Sequence, residues 1–328
     1  MTEPSPDQRP LAAHPPPNDR ALLGDRSPID DVASRASASD NARDAQPQPR
    51  GNETRYEPET TNILGVDIAL LEANDALAIL DDAIALVRAY RRELYEGEPH
   101  RGENAAPGSG DGAGLKLAFA NANLLNFVAN DPTLRAALDD FLVLNDGVGV
   151  DIARKLLVGS AFPANLNGTD FTPFILERSR HDLRLFLLGA EPGTAEEAAA
   201  AIERDYPRHR VVGTQHGFAP ETDQSMIAER IGALHVDVLM VAMGNPRQEA
   251  WIDRFAAQCR AGVAMGIGAQ LDRFAGKVER PPAFVMRMRV EWVYRLAREP
   301  RRLAKRYLLG NAAFLTRVVR QRLARRPR

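Results

Sequence analysis

The stretch Val236-Asp-Val-Leu-Met-Val-Ala-Met-Gly-Asn-Pro-Arg-Gln-Glu-Ala-Trp251 carries the clearest fold signal in the sequence. Its apolar run at residues 238–243, closed by Gly244, is typical of a strand buried on both faces of a parallel sheet. Asn245 suits the cap of a following helix, and Pro246 suits its first turn. A strand, a tight turn and a helix N-terminus form an anion-binding corner in open α/β sheets. We therefore expect a binding crevice here, lined in part by Arg247, Gln248 and Glu249.

Strand and helix patterns alternate through most of the sequence. Strands are predicted at residues 115–120, 143–145, 183–188, 210–213 and 262–267, with helical patterns between them. A further short strand is predicted at residues 62–67. Strands that alternate with helices in this way predict a doubly wound, mostly parallel, Rossmann-like α/β sheet.

Three regions differ in composition. Residues 1–57 are rich in Pro, Asp and Arg with few large apolar side chains, so we expect disorder there. Residues 58–282 are expected to form the α/β domain. Residues 283–328 form a basic amphipathic helical region, in which fourteen Lys and Arg residues oppose two glutamates for a net charge of +12. Because the whole chain carries −2, the remainder must carry −14, which is an acidic body with a basic end.

The basic region is compatible with a solvated helix pair, a nucleic-acid contact or docking to a membrane. Trp292, Tyr294, Leu296, Phe314 and Leu315 are interleaved with its arginines, and such aromatic and apolar groups enter a lipid interface. Each basic residue near anionic lipid contributes about 1 kcal/mol. The pattern therefore favours the membrane surface, and we expect no nucleic-acid partner.

The overall composition is that of an ordinary soluble protein, with 44% hydrophobic and 26% charged residues. The single cysteine, Cys259, cannot form an intrachain disulfide and fits a reducing compartment. No apolar stretch reaches the roughly 18 to 20 residues of a membrane span, and the N-terminus has no signal-peptide core. We expect a cytoplasmic protein that associates peripherally with the membrane.

Polar residues follow two of the predicted strands. Asp146, beside Gly147, is well placed for a general base at the carboxyl end of a strand, although an Asx-turn or helix cap explains it equally well. Asn121 and Asn123 would hold a hydroxyl-rich ligand or cap the next helix, and the local pattern favours the cap.

Two further stretches suit a ligand or a purely structural role. The turn Gly189-Ala-Glu-Pro-Gly193 would hold a phosphate against backbone N–H groups, but many α/β proteins have such a turn for packing alone. Asp272 follows the last predicted strand and would either orient a ligand or hold its loop through backbone bonds.

Several enzyme classes lack their motifs. The six histidines and Cys259 show no zinc-ligand spacing, and no Asp-x-Asp pair marks a metal-bound nucleotide diphosphate. There is no Gly-x-Ser-x-Gly elbow, Walker loop or G-x-G-x-x-G fingerprint. Hydrolase, kinase and dinucleotide-dependent dehydrogenase functions are therefore disfavoured.

A set of motifs in fixed order carries a family resemblance. They are Asn145-Asp-Gly-Val-Gly-Val150, Gly168-Thr-Asp170, Gly244-Asn-Pro-Arg-Gln-Glu249, Arg280-Pro-Pro282, Glu291-Trp292, Tyr294-Arg-Leu296 and Glu299-Pro-Arg-Arg302. Over about residues 62–312 the sequence resembles the WecG/TagA/CpsF glycosyltransferase family. The short Phe119-x-Asn121 motif resembles the branch that acts in exopolysaccharide biosynthesis.

The resemblance implies transfer of a sugar from a UDP-sugar to an undecaprenyl-diphosphate-linked saccharide at the inner membrane face. It implies inversion, no required metal and no cofactor. By position, Asp146 would be the general base. Phe119 stands where the family often has Thr, and Asn123 would replace that contribution. The implied substrate-binding residues are Asn121, Asn123, Gly147, Gly189, Gly244, Asn245, Pro246, Gln248, Glu249 and Asp272.

The resemblance also implies a role for each of the two regions that follow residue 57. Residues 58–282 would be the catalytic domain and residues 283–328 a membrane-docking appendage. Four arginines of the appendage would bind the nucleotide diphosphate: Arg295, Arg298, Arg301 and Arg302. Gln248 and Glu249 would orient the nucleotide or hold their loop. A non-enzymatic α/β module that docks through its basic end is the alternative, and homo-oligomer formation is left open.

Overall fold

The computed structural model describes residues 58–96, 114–279, 291–298, 300–304 and 308–324. The segment predicted to be disordered, residues 1–57, lies outside the described residues, as do the side chains of Arg295 and Arg302. The boundaries predicted at residues 57 and 282 stay predictions.

A six-stranded sheet forms the centre of the protein, and all of its strand pairs are parallel. Its strands are β3 (Leu115–Ala120), β4 (Phe141–Asn145), β5 (Arg184–Gly189), β6 (Arg210–Gln215), β7 (Val238–Ala242) and β8 (Val263–Gly266). They lie in the order β4-β3-β8-β7-β5-β6. From β3 the chain steps to β4 at one edge, crosses to β5 and then β6 at the other edge, and returns through β7 and β8 to lie beside β3. This parallel order on both sides of β3 confirms the predicted doubly wound fold.

Strand β7 is buried on both faces, as its apolar run predicts. All five of its residues are buried. Val238 and Met240 face one apolar cluster of the core, whereas Leu239 and Val241 face the other. This alternation is what a strand between two helical layers requires, because successive side chains point to opposite faces.

Helices cover both faces of the sheet. In chain order they are α1 (Ala73–Glu96), α2 (Ala122–Val128), α3 (Pro132–Leu138), α4 (Val148–Val158), α5 (Gly168–Arg178), α6 (Thr194–Asp205), α7 (Gln224–Ala233), α8 (Arg247–Cys259), α9 (Gln270–Phe274), α10 (Glu291–Arg298), α11 (Pro300–Ala304) and α12 (Gly310–Ala324). A short 3₁₀ turn, Glu221–Asp223, precedes α7. Helices α1, α5, α6 and α9 pack on one face, and α2, α3, α4, α7, α8 and α12 pack on the other.

The segment predicted as one strand at residues 62–67 is a hairpin. Strands β1 (Thr60–Ile63) and β2 (Val66–Ala69) pair antiparallel around Leu64 and Gly65. Both turn residues have positive φ, 54° and 89°, as a type I′ hairpin turn requires. The single-strand prediction was wrong because Leu64 gives no turn signal.

The last helix is part of the core. Phe314 and Val318 of α12 are fully buried against α2 and α4. The Asn126 side chain donates to the Gly310 carbonyl (2.7 Å), and the Leu64 N–H donates to Gln321 Oε1 (3.0 Å). Helix α12 is therefore held to the α/β domain at both ends and along its middle.

No helix in the described ranges combines the length and apolar character needed to cross a membrane.

The long helix α1 carries charged residues along its surface and is held to the sheet through Arg88, whose guanidinium donates to the buried Asp237 carboxylate (2.6 Å).

Candidate active site

Three loops meet at the carboxyl ends of neighbouring strands. They follow β3, β4 and β7 and carry Asn121, Asp146 and Asn245. Asn121 Nδ2 donates to Asp146 Oδ2 at 3.1 Å and lies 3.4 Å from Asn245 Oδ1. The structure thus brings together three of the predicted site residues, at the sheet edge where ligands bind in doubly wound folds.

Asn121 both caps a helix and contacts the predicted base. Its Oδ1 accepts from the backbone N–H groups of Asn123 and Leu124, each at 3.1 Å, at the start of α2. The cap fixes the orientation of the amide, so that Nδ2 faces Asp146. The two alternatives for Asn121, a cap or a polar group in the site, are therefore compatible. Asn123 lies half-buried in the first turn of the same helix.

The β4–α4 loop holds Asp146 half-buried at the site. The Asp146 N–H donates to the Ala120 carbonyl (2.9 Å), which joins this loop to the end of β3. Gly147 caps α4 with φ 86°, a value that glycine adopts without strain, and its N–H donates to Asn165 Oδ1 at 3.2 Å. Asn165 has no sequence signature and was not predicted.

The β7–α8 loop differs from its prediction. Helix α8 begins at Arg247 with Pro246 at the N-cap position and no side-chain cap, so Asn245 does not cap it. Asn245 instead donates through Nδ2 to Glu249 Oε1 at 2.6 Å. The Glu249 carboxylate, one turn into the helix, accepts from the Asn245 side-chain amide, and this leaves Asn245 Oδ1 facing Asn121.

Gln248 and Glu249 lie beneath this loop. Both are buried, with 2% and 0% of their surface exposed. Gln248 Oε1 accepts from the N–H groups of Gly244 (3.1 Å) and Gly268 (3.0 Å), and its Nε2 donates to Glu249 Oε1 (2.9 Å). Burial raises the pKa of the Glu249 carboxyl, and the hydrogen bonds from Gln248 and Asn245 oppose that rise. These contacts hold the loop; contact with substrate stays a prediction.

The turn after β5 has a packing role. A Cβ on Gly189 would lie 2.3 Å from the Ala242 carbonyl oxygen, so glycine is needed for strands β5 and β7 to approach. Helix α6 begins beyond Gly193, which has φ 87° and open space around it. Lys277 Nζ donates to Thr194 Oγ1 (2.9 Å) at this helix start. No sequence pattern marks Lys277, which follows α9 and lies 83 residues beyond Thr194 in the chain.

Asp272 and Phe119 lie at the margins of the site. The Asp272 carbonyl oxygen accepts from the N–H groups of Lys277 (2.8 Å) and Val278 (3.2 Å), which holds the loop after α9. Phe119 is buried, with its ring edge-on to Phe171 at 6.4 Å between centroids. It therefore points into the core on the α5 face, and the residue at this position does not contribute a polar group to the site.

Arg298 and Arg301 are the two predicted appendage arginines whose side chains the structure describes, and the described partners of Arg298 lie outside these loops. Arg298 pairs with Glu279 and donates to the Tyr294 hydroxyl (3.0 Å). Arg301 is exposed. In the described part of the chain, no group of three His, Cys, Asp or Glu side chains is placed to hold a metal ion.

Comparison with known proteins identifies the fold's relatives. The model of the glycosyl transferase WecG/TagA/CpsF family matches residues 106–328. The chain is 31% identical over 214 residues to an N-acetylglucosaminyldiphosphoundecaprenol N-acetyl-beta-D-mannosaminyltransferase of Bacillus spizizenii, covering 64% of this chain and 81% of that protein. A Bacillus subtilis protein of the same name is 29% identical over 159 residues, covering 48% and 61%. The chain belongs to the WecG/TagA/CpsF family of glycosyltransferases.

Proposed function

We propose that the protein transfers a sugar from a UDP-sugar to N-acetylglucosamine carried on undecaprenyl diphosphate, with inversion at the anomeric carbon and without a metal. The relatives are named for this acceptor. The observation that carries the proposal is the Asp146 carboxylate, held by Asn121 at 3.1 Å where three strand-end loops meet.

Asp146 is the proposed general base. A hydrogen bond donated to a carboxylate favours its ionised form, which is the form that accepts a proton. In a single displacement, Asp146 takes the proton of the acceptor hydroxyl as that oxygen bonds to the anomeric carbon. The bond from this carbon to the UDP oxygen breaks at the same time, and UDP leaves with the electron pair.

The departing UDP needs positive or dipolar groups near it. Helix α6 presents its N-terminus beyond the Gly189–Gly193 turn, and Lys277 lies beside that terminus. Helix α8 presents a second N-terminus after Gly244, Asn245 and Pro246. We propose that these groups, with Arg295, Arg298, Arg301 and Arg302, balance the diphosphate charge. For Arg298 this requires exchange of its Glu279 partner, and for Lys277 exchange of Glu197, whose carboxylate lies 2.9 Å from Lys277 Nζ.

A lipid-linked acceptor places the reaction at a membrane surface. The exposed side chains of α12 include Val319, Arg320 and Leu323, which suit contact with anionic lipid. We propose peripheral association with the inner face of the cell membrane, in cell-envelope or exopolysaccharide biosynthesis.

The test is a screen of UDP-sugars with a lipid-diphosphate N-acetylglucosamine acceptor, reading UDP release and product mass. UDP-N-acetylmannosamine is the first donor, because both relatives are named for that sugar. Asp146→Asn should abolish transfer and leave UDP binding within about threefold, since amide and carboxylate have the same shape but only the carboxylate accepts the proton. Full activity in Asp146→Asn would refute the base assignment.

The rival, a non-enzymatic membrane-docking module, is disfavoured by membership of a glycosyltransferase family. It would require that no UDP-sugar protects the protein from thermal unfolding and that no donor and acceptor pair yields UDP. Protection by UDP together with a glycosylated lipid product would exclude it.

A further inference from the structure

A series of hydrogen bonds runs from beneath the β7–α8 loop to the proposed base. We call Gln248, Glu249, Asn245, Asn121 and Asp146 the polar series. Gln248 Nε2 and Asn245 Nδ2 both donate to Glu249 Oε1, at 2.9 and 2.6 Å. Asn121 Nδ2 then lies 3.4 Å from Asn245 Oδ1 and 3.1 Å from Asp146 Oδ2.

Backbone N–H groups fix the direction of the series at both ends. The N–H groups of Gly244 and Gly268 require an oxygen from Gln248, which turns its Nε2 toward Glu249. At the other end, the N–H groups at the start of α2 require an oxygen from Asn121, which turns its Nδ2 toward Asp146. Because an N–H can only donate, neither terminal amide can reverse.

Asn245 is the member whose orientation no backbone group fixes among the described bonds. Its amide has two orientations of similar shape, and only its partners decide between them. Glu249 Oε1 can only accept, so it takes Nδ2 and leaves Oδ1 facing Asn121. In the reversed orientation the amide nitrogens of Asn245 and Asn121 would face each other, and the repulsion between these two donors would displace Asn121 from its bond to Asp146.

We infer that Glu249 is a positioning residue for the reaction, which sets the orientation of Asn245 and thereby keeps the Asn121 amide on the Asp146 carboxylate. The inference rests on the proposed function, because it requires Asp146 to be the base. Glu249 is fully buried beneath the β7–α8 loop, and its described side-chain bonds go to Gln248 and Asn245, so its proposed effect on the base passes through Asn245. A buried carboxyl is unfavourable unless hydrogen bonds compensate it, and these two donors both bond Oε1.

The acceptor oxygen, rather than the charge, carries this role. Glu249 Oε1 already receives two hydrogens, so a proton on the carboxyl would reside on Oε2, which makes no bond within the described residues. Oε1 accepts in either protonation state. A glutamine at this position keeps an oxygen for Gln248 and Asn245, whereas a methionine fills a similar volume without an acceptor.

The experiment compares Glu249→Gln and Glu249→Met in the full-length protein, with UDP release under saturating donor and lipid acceptor. We expect Glu249→Met to lower kcat by about tenfold to hundredfold, as displacement of a catalytic group does, with a smaller change in the donor KM. We expect Glu249→Gln to keep kcat within about threefold of wild type. Thermal unfolding checks that each variant is folded at the assay temperature.

Gln224→Met is the matched control. Gln224 is buried at the start of α7, and its Oε1 accepts from Trp251 Nε1 at 2.7 Å. Trp251 lies on α8, as Glu249 does, and neither Gln224 nor Trp251 belongs to the polar series. This control should lower the unfolding midpoint and leave kcat unchanged. Should Glu249→Met fail to fold, Asn245→Leu in the half-exposed loop makes a second test, because leucine has a similar shape but no oxygen to accept from the Asn121 amide; kcat should again fall at least tenfold.

Three results would overturn the inference. Wild-type kcat in folded Glu249→Met, or in Asn245→Leu, would show that an acceptor oxygen of Asn245 facing Asn121 has no effect. An equal loss in Glu249→Gln and Glu249→Met would show that the charge matters instead. Asp146→Asn, assayed in parallel, separates the two levels: if it is inactive while Glu249→Met is fully active, only the positioning role fails, whereas an active Asp146→Asn removes the base assignment itself.

Discussion

Replacement of Phe314 by alanine tests whether the basic C-terminal region is an appendage or part of the fold. Phe314 is fully buried between α2 and α4, the two helices that begin beside Asn121 and Asp146. One of its ring carbons lies 3.9 Å from the position that a Cβ on Gly149 would occupy. The ring therefore supports both helices whose first turns carry the proposed site.

The expected loss of stability is large. Buried phenylalanine-to-alanine changes cost about 3–5 kcal/mol, and the value rises where neighbours cannot fill the cavity. The ring lies next to Gly149, which has no side chain able to move into the space. We therefore expect a loss near the upper end of this range, against a total stability of about 5–15 kcal/mol for a domain.

Urea unfolding followed by circular dichroism measures the effect as a shift in midpoint at constant slope. Val319→Ala is the control on the same helix, because Val319 is 44% exposed and should lose less than about 0.5 kcal/mol. A loss below about 1 kcal/mol in Phe314→Ala would refute the conclusion that α12 belongs to the core.

This prediction changes how membrane docking should be tested. Removing everything after residue 282 would take Phe314 and Val318 out of the core, so loss of activity would report unfolding as well as loss of docking. Substitutions of exposed arginines on α12, such as Arg320→Glu, alter the charge at the surface without removing core contacts.

Two other predictions follow from buried groups. Burial lowers the pKa of His209, whose ring bonds the Leu183 N–H (3.1 Å) and the Leu176 carbonyl (2.6 Å), so the unfolded state binds its proton first. The contribution of His209 to the free energy of unfolding should be complete above about pH 6.5 and decline below it. The difference in unfolding free energy between wild type and His209→Gln should therefore shrink on acidification, and a difference that grows would contradict this. Gly189→Ala should lower the free energy of unfolding more than Gly193→Ala does. A side chain at Gly193 meets only backbone strain, about 1–2 kcal/mol, whereas a Cβ on Gly189 would also lie 2.3 Å from the Ala242 carbonyl oxygen. Equal unfolding midpoints for the two variants would refute the clash.

The sequence alone was sufficient for the sheet and for the family. Apolar runs such as residues 238–242 predict buried strands because a strand between two helical layers has no polar face. Asp131 and Asn121 precede their helices as caps because a short side-chain oxygen satisfies free N–H groups next to it in sequence. These are local interactions, and their partners lie within a few residues.

Local patterns failed where a partner other than the expected one formed the bond, four residues away for Asn245 and 257 residues away for Leu64. Asn245 fits an N-cap by sequence, yet Glu249 takes its amide and Pro246 occupies the cap position. The local pattern predicts that Leu64 is part of a strand. In the structure it has a positive φ in the hairpin turn, and its N–H donates to Gln321 of the last helix.

Sequence spacing identified Asp146, Asn121 and the Gly244–Glu249 motif as candidates, but it did not say which of them touch. Only the parallel order of β4, β3, β8 and β7 brings these loops to one edge, where Asn121 bonds Asp146. The same packing sets Lys277 beside α6 and buries Phe314 beneath the site. Composition and periodicity determine which segments form strands and helices, because those preferences are local. The contacts between segments far apart in sequence arise from tertiary packing, and the two bonds of the Asn121 amide within the polar series, to Asp146 and Asn245, are of this kind.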